Sequence, residues 1–373
     1  MTLNSKHNIF HNVVFSFIVL ASFSASFLMQ SCSENDNPED DKAVVVLTCK
    51  SLDSETSTKK DSSATRAITS DTEGKIQDIT VYIFDSKGDV IGSQYTAGNI
   101  TNTVSASITT RAATGCNIYV VANAGSGKFA GIYNINDFNK LYATITTPEE
   151  LASGSTYPIM FGKIGPITIN SGTSNQTINV ARLLSKITFS IVPNSTKDPT
   201  HPITIDGYQL HRVPLNCYYV DTYTSATSGL NSYGDFSAVK LTTNNVDGNT
   251  ISFTYYVYEN LAGTNSASTT WKLRNKTTAP SKASYLTVDA HTSIWKSRYY
   301  IYLGGKNLTS AGASPTYDYT DYNIYRNTNY TVTVNITGNG SGEDGVRVDY
   351  DANIYFSSPG INQWTNNPID VSM

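Results

Sequence analysis

Tyr330-Thr-Val-Thr-Val-Asn-Ile336 carries the strongest strand pattern in the chain, because apolar and polar residues alternate along it. Successive side chains of a β-strand point to opposite faces, so this alternation predicts a strand with one buried face. The same alternation returns over residues 346–356, after the turn Gly338-Asn-Gly-Ser-Gly342. Together the two segments predict a β-hairpin close to the end of the chain.

Shorter runs of apolar, β-branched and aromatic residues occur along most of the chain, separated by clusters of Gly, Asn, Ser and Pro. Runs bounded in this way are typical of strands. The predicted strands are Val44–Cys49, Ile76–Phe84, Val104–Thr110, Cys116–Ala122, Ala181–Val192, Tyr208–Val213, Cys217–Val220, Ser252–Tyr258 and Tyr299–Leu303. The polar intervals 222–249 and 260–292 are predicted to be surface loops. Many short strands between turns favour an all-β fold of two β-sandwich domains in tandem, Greek-key-like and transthyretin-like.

The composition also favours strands and limits the kinds of partner. The chain of 373 residues contains 25 tyrosines, only 15% of its residues are charged, and its formal net charge is −4. Aromatic and β-branched side chains fit a pleated, half-buried surface, so we expect helical turns only at residues 137–141 and 148–152. The small negative net charge argues against a nucleic-acid partner or an anionic membrane surface.

The first 32 residues have the pattern of a lipoprotein export signal. An uncharged, mainly apolar run covers residues 13–28 and is closed by Leu28-Met-Gln-Ser-Cys32. This length matches the apolar region of a signal peptide and is short for a membrane-spanning helix. We therefore expect residues 1–31 to be removed and Cys32 to be acylated, which would anchor the protein in the outer membrane. The alternative is an ordinary secretory signal with a chance cysteine.

A second segment without core-forming residues follows the first predicted strand. Residues 51–65 are almost entirely Ser, Thr, Asp, Glu and Lys, and they end at Arg66. Such a segment has too few apolar side chains to bury. We expect it to be a loop that proteases can reach.

No catalytic, metal or cofactor site is predicted, and the chain is not predicted to be an enzyme. It contains neither a G-x-S-x-G nor an H-E-x-x-H motif, and its five histidines are scattered. The sequence of residues 122–128 partly matches the phosphate-binding-loop motif, but alanine replaces the first glycine of that motif, so a turn is the better interpretation. The spacing of Cys49, Cys116 and Cys217 matches no zinc site, and these residues are predicted to be small buried apolar groups. A disulfide between Cys116 and Cys217 is the alternative.

Four stretches share their order and spacing with a known family. They are Ile118-Tyr-Val-Val-Ala-Asn-Ala124, Tyr157-Pro-Ile-Met-Phe-Gly162, Val180-Ala-Arg-Leu-Leu-Ser-Lys-Ile-Thr188 and Arg326-Asn-Thr-Asn-Tyr-Thr-Val-Thr-Val-Asn-Ile-Thr-Gly338. Each is weak alone, but the set and the export signal together resemble the bacteroidal fimbrillin, or type V pilin, family over nearly the whole chain. The second stretch departs mildly from the family's usual Pro-Met pairing.

The resemblance implies a precursor that a trypsin-like, arginine-specific protease activates at the cell surface. Cleavage between Arg66 and Ala67 would release residues 32–66 together with the strand Val44–Cys49. The groove left behind would expose unpaired backbone groups and apolar surface, and the C-terminal segment of a neighbouring subunit would fill it. Because the contact is head-to-tail, it generates a fibre. The competing basic positions are Lys59, Lys60 and Arg111, of which Arg111 follows a strand and is expected to be less accessible.

This mechanism implies a definite division of the chain. The segments are a signal peptide at 1–31, a propeptide with a removable strand at 32–66, an N-terminal β-sandwich domain at 67–181 and a C-terminal β-sandwich domain at 182–373, which includes the donor-strand segment 361–373. The donor residues are Ile361, Trp364, Ile369 and Val371, with Trp364 as the expected anchor.

The implied function is that of a structural subunit of surface fimbriae that serves adhesion. Its partners would be further copies of itself, accessory pilus subunits and the processing protease, and it would touch the outer membrane through its lipid only before cleavage. The receptor is not predicted. The alternatives are a pilus tip adhesin, an anchor subunit that keeps its lipid, or a surface glycan-binding lipoprotein that uses Trp271, Trp295 or the tyrosines of residues 317–322.

Overall fold

The computed structural model describes residues 41–51, 72–152, 157–220, 232–243, 245–270, 273–305, 318–339 and 365–372. Nearly all regular structure in these ranges is β, as the sequence predicts. The second predicted helical turn is present as a 3-10 turn at Pro148–Ala152, and the first is shifted, because the α-helix α1 covers Ile135–Phe138 and not residues 137–141. The all-β fold class is therefore confirmed.

The first part of the chain builds one large sheet. Its strands follow the chain as β1 (Lys42–Ser51), β2 (Ile76–Phe84), β3 (Val90–Thr101), β4 (Thr103–Arg111), β5 (Ala113–Ala122), β6 (Tyr142–Thr144), β7 (Met160–Ile169) and β8 (Gly172–Arg182). Seven of them lie in the order β3-β2-β5-β7-β8-β1-β4. The first strand of the described residues, β1, is thus an inner strand, and its neighbours are β8 and β4.

The second part of the chain builds two four-stranded sheets. Its strands are β9 (Leu184–Pro193), β10 (Thr204–His211), β11 (Val213–Pro214), β12 (Asn216–Tyr218), β13 (Tyr233–Gly234), β14 (Val239–Lys240), β15 (Ile251–Tyr258), β16 (Tyr285–His291), β17 (Lys296–Tyr302), β18 (Thr328–Ile336) and β19 (Thr365–Ser372). The sheets have the orders β14-β10-β16-β17 and β15-β9-β18-β19. The short strands β11 and β13 pair with each other, and β12 pairs with β6.

Three clusters of buried side chains hold these sheets. One cluster consists of side chains from the large sheet of the first part of the chain, and a second is built mainly from the two four-stranded sheets. The third is mainly aromatic and joins both parts: Phe84, Phe138 and Phe161 from the first pack in one cluster with Tyr219 and Tyr256 from the second. Residues from Asp41 onward accordingly form one compact unit. The division into domains at residues 67–181 and 182–373 stays a prediction.

Several strand predictions hold, and three local predictions are wrong. Strand β2 has the predicted bounds. The predicted single strand over residues 181–192 is broken at Leu183, because the N–H of Leu183 donates to Ile159 and its carbonyl accepts from Glu259 instead of extending a ladder. The predicted loop 260–292 contains β16, whose Leu286 is fully buried.

The predicted loop 222–249 is also interrupted, by β13 and β14. Phe236 between them is buried in the core of the second part of the chain. In the predicted C-terminal hairpin, the first arm is β18. The second arm, residues 346–356, lies outside the described residues. Strand β18 instead runs parallel to β9 on one side and to β19 on the other.

Candidate functional site

Strand β1 is paired along its whole length on both sides. It runs antiparallel to β4, from Lys42 opposite Arg111 to Lys50 opposite Thr103. It runs parallel to β8, with Ala43 matched to Gly172 at the start of the ladder. Each ladder supplies hydrogen bonds to backbone groups of β4 and β8 that are buried and therefore cannot bond to water instead.

Alternate side chains of β1 fill the core beneath the sheet. Ala43, Val45, Leu47 and Cys49 are each no more than 1% exposed. They belong to one cluster with residues of β2, β4, β5 and β8. Full burial of one aliphatic side chain stabilises a fold by about 1.5–3 kcal/mol. The apolar run of this strand is therefore a structural part of the sheet.

The two neighbours depend on β1 for their place in the sheet. Within the described residues, β4 has ladder pairs with β1 alone. Strand β8 pairs with β7 only at Arg182–Met160 and Ala181–Phe161, at its last two residues. Loss of β1 would therefore leave a groove walled by β4 and by most of β8, with an apolar floor.

A buried polar network fixes the chain on the far side of segment 52–71, which lies outside the described residues. The backbone oxygen of Glu73 accepts a hydrogen bond from Nε of Arg182 at 2.7 Å. Its Oε1 accepts from Nζ of Lys186 at 2.8 Å and from the hydroxyl of Tyr256 at 2.5 Å. Glu73 is 4% exposed and Arg182 1%. This position of the chain is thus anchored to β8, β9 and β15.

The predicted processing and anchoring residues are not covered by the structure. Cys32, Arg66 and Ala67 lie outside the described residues, as do Ile361 and Trp364 of the predicted donor segment. The other two donor residues lie in β19: Ile369 is paired with Val332 and Val371 with Val334 of β18 in the same chain. In this structure β19 and β1 belong to different sheets.

The three described cysteines are buried and none forms a disulfide. Burial raises the pKa of the Cys49 thiol to about 12. Burial also raises the pKa of Cys116, and the nearby Asp85 carboxylate adds to this. The prediction of small buried apolar groups is confirmed, and a Cys116–Cys217 bridge is absent from the described part of the chain.

The described histidines have carboxylate partners that are distant in sequence or lie in the same turn. Nδ1 of His211 lies 3.0 Å from Oδ2 of Asp235, and Nδ1 of His291 lies 2.8 Å from Oδ1 of Asp206. Among the described residues, no group of three or more His, Cys, Asp or Glu side chains could hold a metal ion. Nor does this part of the chain contain a helix long and apolar enough to cross a membrane.

Two parts of this site were missed by sequence reasoning. Strand β8 was not predicted over residues 172–179, because its apolar residues are concentrated at its end, in Ile178 and Val180. Glu73 lies in a polar stretch, which is typical of a surface residue. Only the convergence of Lys186 and Tyr256, both more than a hundred residues later, makes its burial favourable, and no local signal indicates it.

Residues 44–205 match the family model of the major fimbrial subunit protein (FimA). The match begins inside β1 and ends in β10. Residues 255–334 match a domain of unknown function, DUF4906. No curated protein sequence matches the chain.

Solved structures share the fold at low sequence identity. A candidate cell adhesion protein from Parabacteroides distasonis is 15% identical with a TM-score of 0.57, covering 83% of this chain and 92% of that one. One from Bacteroides eggerthii is 16% identical with a TM-score of 0.55, covering 88% and 98%. The tip fimbrial protein Mfa3 from Porphyromonas gingivalis, truncated at its C-terminus, is 15% identical with a TM-score of 0.52, covering 78% and 94%.

Proposed function

We propose, because residues 44–205 match the family model of the major fimbrial subunit protein, that this chain is a pilus subunit assembled by strand exchange. It is exported as a lipoprotein through Cys32, and a trypsin-like protease cleaves it after Arg66. The released segment carries β1 with it. The mature protein lies in surface fimbriae, and its partners are further copies of itself and accessory subunits.

The position of β1 is the observation that carries this proposal. A strand from the very start of the described chain lies one strand in from the edge of the seven-stranded sheet and supplies nearly all ladder pairs of its two neighbours. The anchor at Glu73 holds the chain beyond the cleavage segment independently of β1. Removal of β1 therefore opens a groove while the chain after the cleavage segment stays attached at Glu73, and an open groove of this kind binds an extended strand.

The C-terminal segment 361–373 is the proposed donor. Strand β19 covers eight residues against ten for β1, and it already pairs in parallel with one neighbour, as β1 does with β8. Ile369 and Val371 are two residues apart, so they would enter the groove from the same face of the donor. In an uninterrupted strand Trp364 would lie on the opposite face. We therefore assign the inward contacts to Ile369 and Val371 and keep Trp364 for a contact outside the groove.

The test is treatment of the purified full chain with an arginine-specific, trypsin-like protease, followed by mass spectrometry of the new N-terminus and electrophoresis in sodium dodecyl sulfate. We expect Ala67 as the first residue and ladders that resist the detergent. Arg66→Ala should abolish both, whereas Lys60→Ala in the same segment should change neither. Normal ladders from the Arg66→Ala variant would refute the assignment of the cleavage bond.

Deletion of residues 361–373 tests the donor separately. We expect normal cleavage and no ladder, because the groove opens but no neighbour can fill it. Polymers formed without this segment would place the donor elsewhere in the chain. An acylated Cys32 that persists on cells, with no cleavage and no ladder, would point instead to an anchor subunit or a glycan-binding lipoprotein.

A further inference from the structure

The backbone around Arg111 is covered by the strand that the proposed processing removes. Arg111 is the last residue of β4 and lies opposite Lys42 in the ladder with β1. The N–H of Ala112, on the far side of the Arg111–Ala112 peptide bond, donates to the carbonyl of Asp41 at 2.7 Å. Both groups that cover this peptide bond thus belong to the segment in front of Arg66.

The Arg111 side chain itself is open to solvent. It is 57% exposed, and its Nη2 makes an ion pair with Oδ2 of Asp85 at 2.9 Å. The Asp85 carboxylate of this pair is only 11% exposed, whereas more than half of the Arg111 side chain stays in reach of solvent. The recognition element of an arginine-specific protease is therefore accessible, whereas the backbone beside it is paired with the segment in front of Arg66.

Loss of β1 would turn the end of β4 into a free strand edge. Within the described residues β4 has no ladder partner other than β1. The end of β4 also makes a side-chain contact, because the Thr110 hydroxyl donates a hydrogen bond to the carbonyl of Ile91 at 2.9 Å. An extended strand with a free edge is the form in which a partner adds backbone hydrogen bonds. Proteases cut exposed chain of this kind preferentially.

We propose that Arg111–Ala112 is a second cleavage site for the arginine-specific protease, masked by β1 in the precursor and by the donor strand in the fibre. Water adds to the Arg111 carbonyl carbon, the bond to the Ala112 nitrogen breaks, and the products are an Arg111 carboxylate and an Ala112 ammonium group. A subunit that loses β1 without gaining a donor is cut there and is removed from assembly. This inference rests on the proposed function.

The other described arginines lack this arrangement. Arg182 and Arg274 are buried, and Arg326 pairs with Glu259 at 2.7 Å in a largely buried ion pair. Arg212 is half-buried, and its backbone N–H donates to Oδ1 of Asp235 at 2.8 Å and not to the segment in front of Arg66. Arg298 is the closest match to Arg111, because its side chain is 53% exposed and paired with Asp289. It lies in β17, however, whose ladder partner is β16 and not β1. Arg298 is therefore the matched control.

The first experiment digests the full chain with an arginine-specific protease and follows the N-termini by mass spectrometry. We expect Ala67 first and Ala112 after a lag. A synthetic peptide of residues 41–51, which contains no arginine, should refill the groove and slow the second cut about tenfold or more, because cleavage follows the population of the open form. Arg111→Lys should remove the second product, and Arg298→Lys should leave both unchanged.

A second variant separates this inference from the proposed function. Arg66→Lys blocks the first cut, and Leu47→Asp in the same chain should drive β1 out of the groove, because a carboxylate cannot stay in the apolar core. We expect faster cleavage at Arg111 in the double variant than in Arg66→Lys alone. The bond after Arg298 should stay intact in both, which serves as the control that the second part of the chain is folded. Equal rates at Arg111 in both would overturn the inference. So would an uncut Arg111 in a chain that has lost β1 to cleavage at Arg66.

Discussion

Leu47→Ala should weaken the precursor and leave the fibre unchanged. Leu47 is fully buried in the middle of β1, within the cluster that fills the first sheet. Truncation of a buried leucine to alanine costs about 2–5 kcal/mol, and a site walled by regular strands relaxes little, so we expect about 3 kcal/mol in the precursor. If processing removes β1, residue 47 is absent from the fibre, and the cost there is zero.

The assay compares two free energies for each variant. Guanidinium-induced unfolding of the uncleaved chain gives the cost in the precursor, and the denaturant midpoint for dissociation of trypsin-generated polymers gives the cost in the fibre. Ile118→Ala in β5 is the control, because Ile118 is fully buried in the same cluster and stays in the mature chain. It should lower both midpoints. Fibres weakened by Leu47→Ala as much as by Ile118→Ala would show that β1 is retained, and the strand-exchange reasoning would fail.

Two further predictions concern the release of β1 and the anchor that remains. Burial raises the pKa of Cys49 to about 12, so almost no reactive thiolate forms at pH 8. Alkylation of Cys49 should therefore be negligible in the precursor and rapid once cleavage frees the strand, with buried Cys217 as the unlabelled control. Labelling of Cys49 at equal rates before and after cleavage would contradict release of β1. Glu73→Gln should lower the free energy of unfolding by about 2–3 kcal/mol, because it leaves the Lys186 ammonium without its buried partner. Asp137→Asn, in the exposed pair with Lys140, is the control and should change the free energy of unfolding by less than about 0.5 kcal/mol. Equal effects of the two substitutions in denaturant unfolding would show that the Glu73 network is not an anchor.

The strands that sequence predicts well are those with a dense apolar pattern of their own. Ile76–Phe84 is such a run and ends at the turn that begins with Asp85, so its bounds match β2. Strand β8 has few apolar residues and exists because β1 pairs with it, which is a long-range property. Strand β16 shows an alternation at Leu286, Val288 and Ala290 that was available in the sequence but lay inside a polar interval.

The candidate site divides in the same way. The apolar run from Val44 to Cys49 predicts the buried strand β1, whereas the predicted accessible loop up to Arg66 lies outside the described residues. No local sequence pattern indicates which strands flank β1. The strands that wall the groove, and the pairing that covers Arg111, are visible only in the strand register of the structure. The role of Glu73 depends on side chains that converge only in three dimensions.

The parallel pairing of β1 with β8 also has a consequence for the order of folding. Ala43 finds its partner Gly172 more than a hundred residues later in the chain, so the ladder closes a long loop, and contacts of this kind form slowly. The strand that is synthesised first among those described is therefore expected to dock last. Every newly made subunit then passes through a state with a vacant groove, and the attached β1 shortens that interval because it is always at high local concentration. If the proposed processing removes β1, the strand acts in this sense as an intramolecular chaperone that the chain carries until assembly.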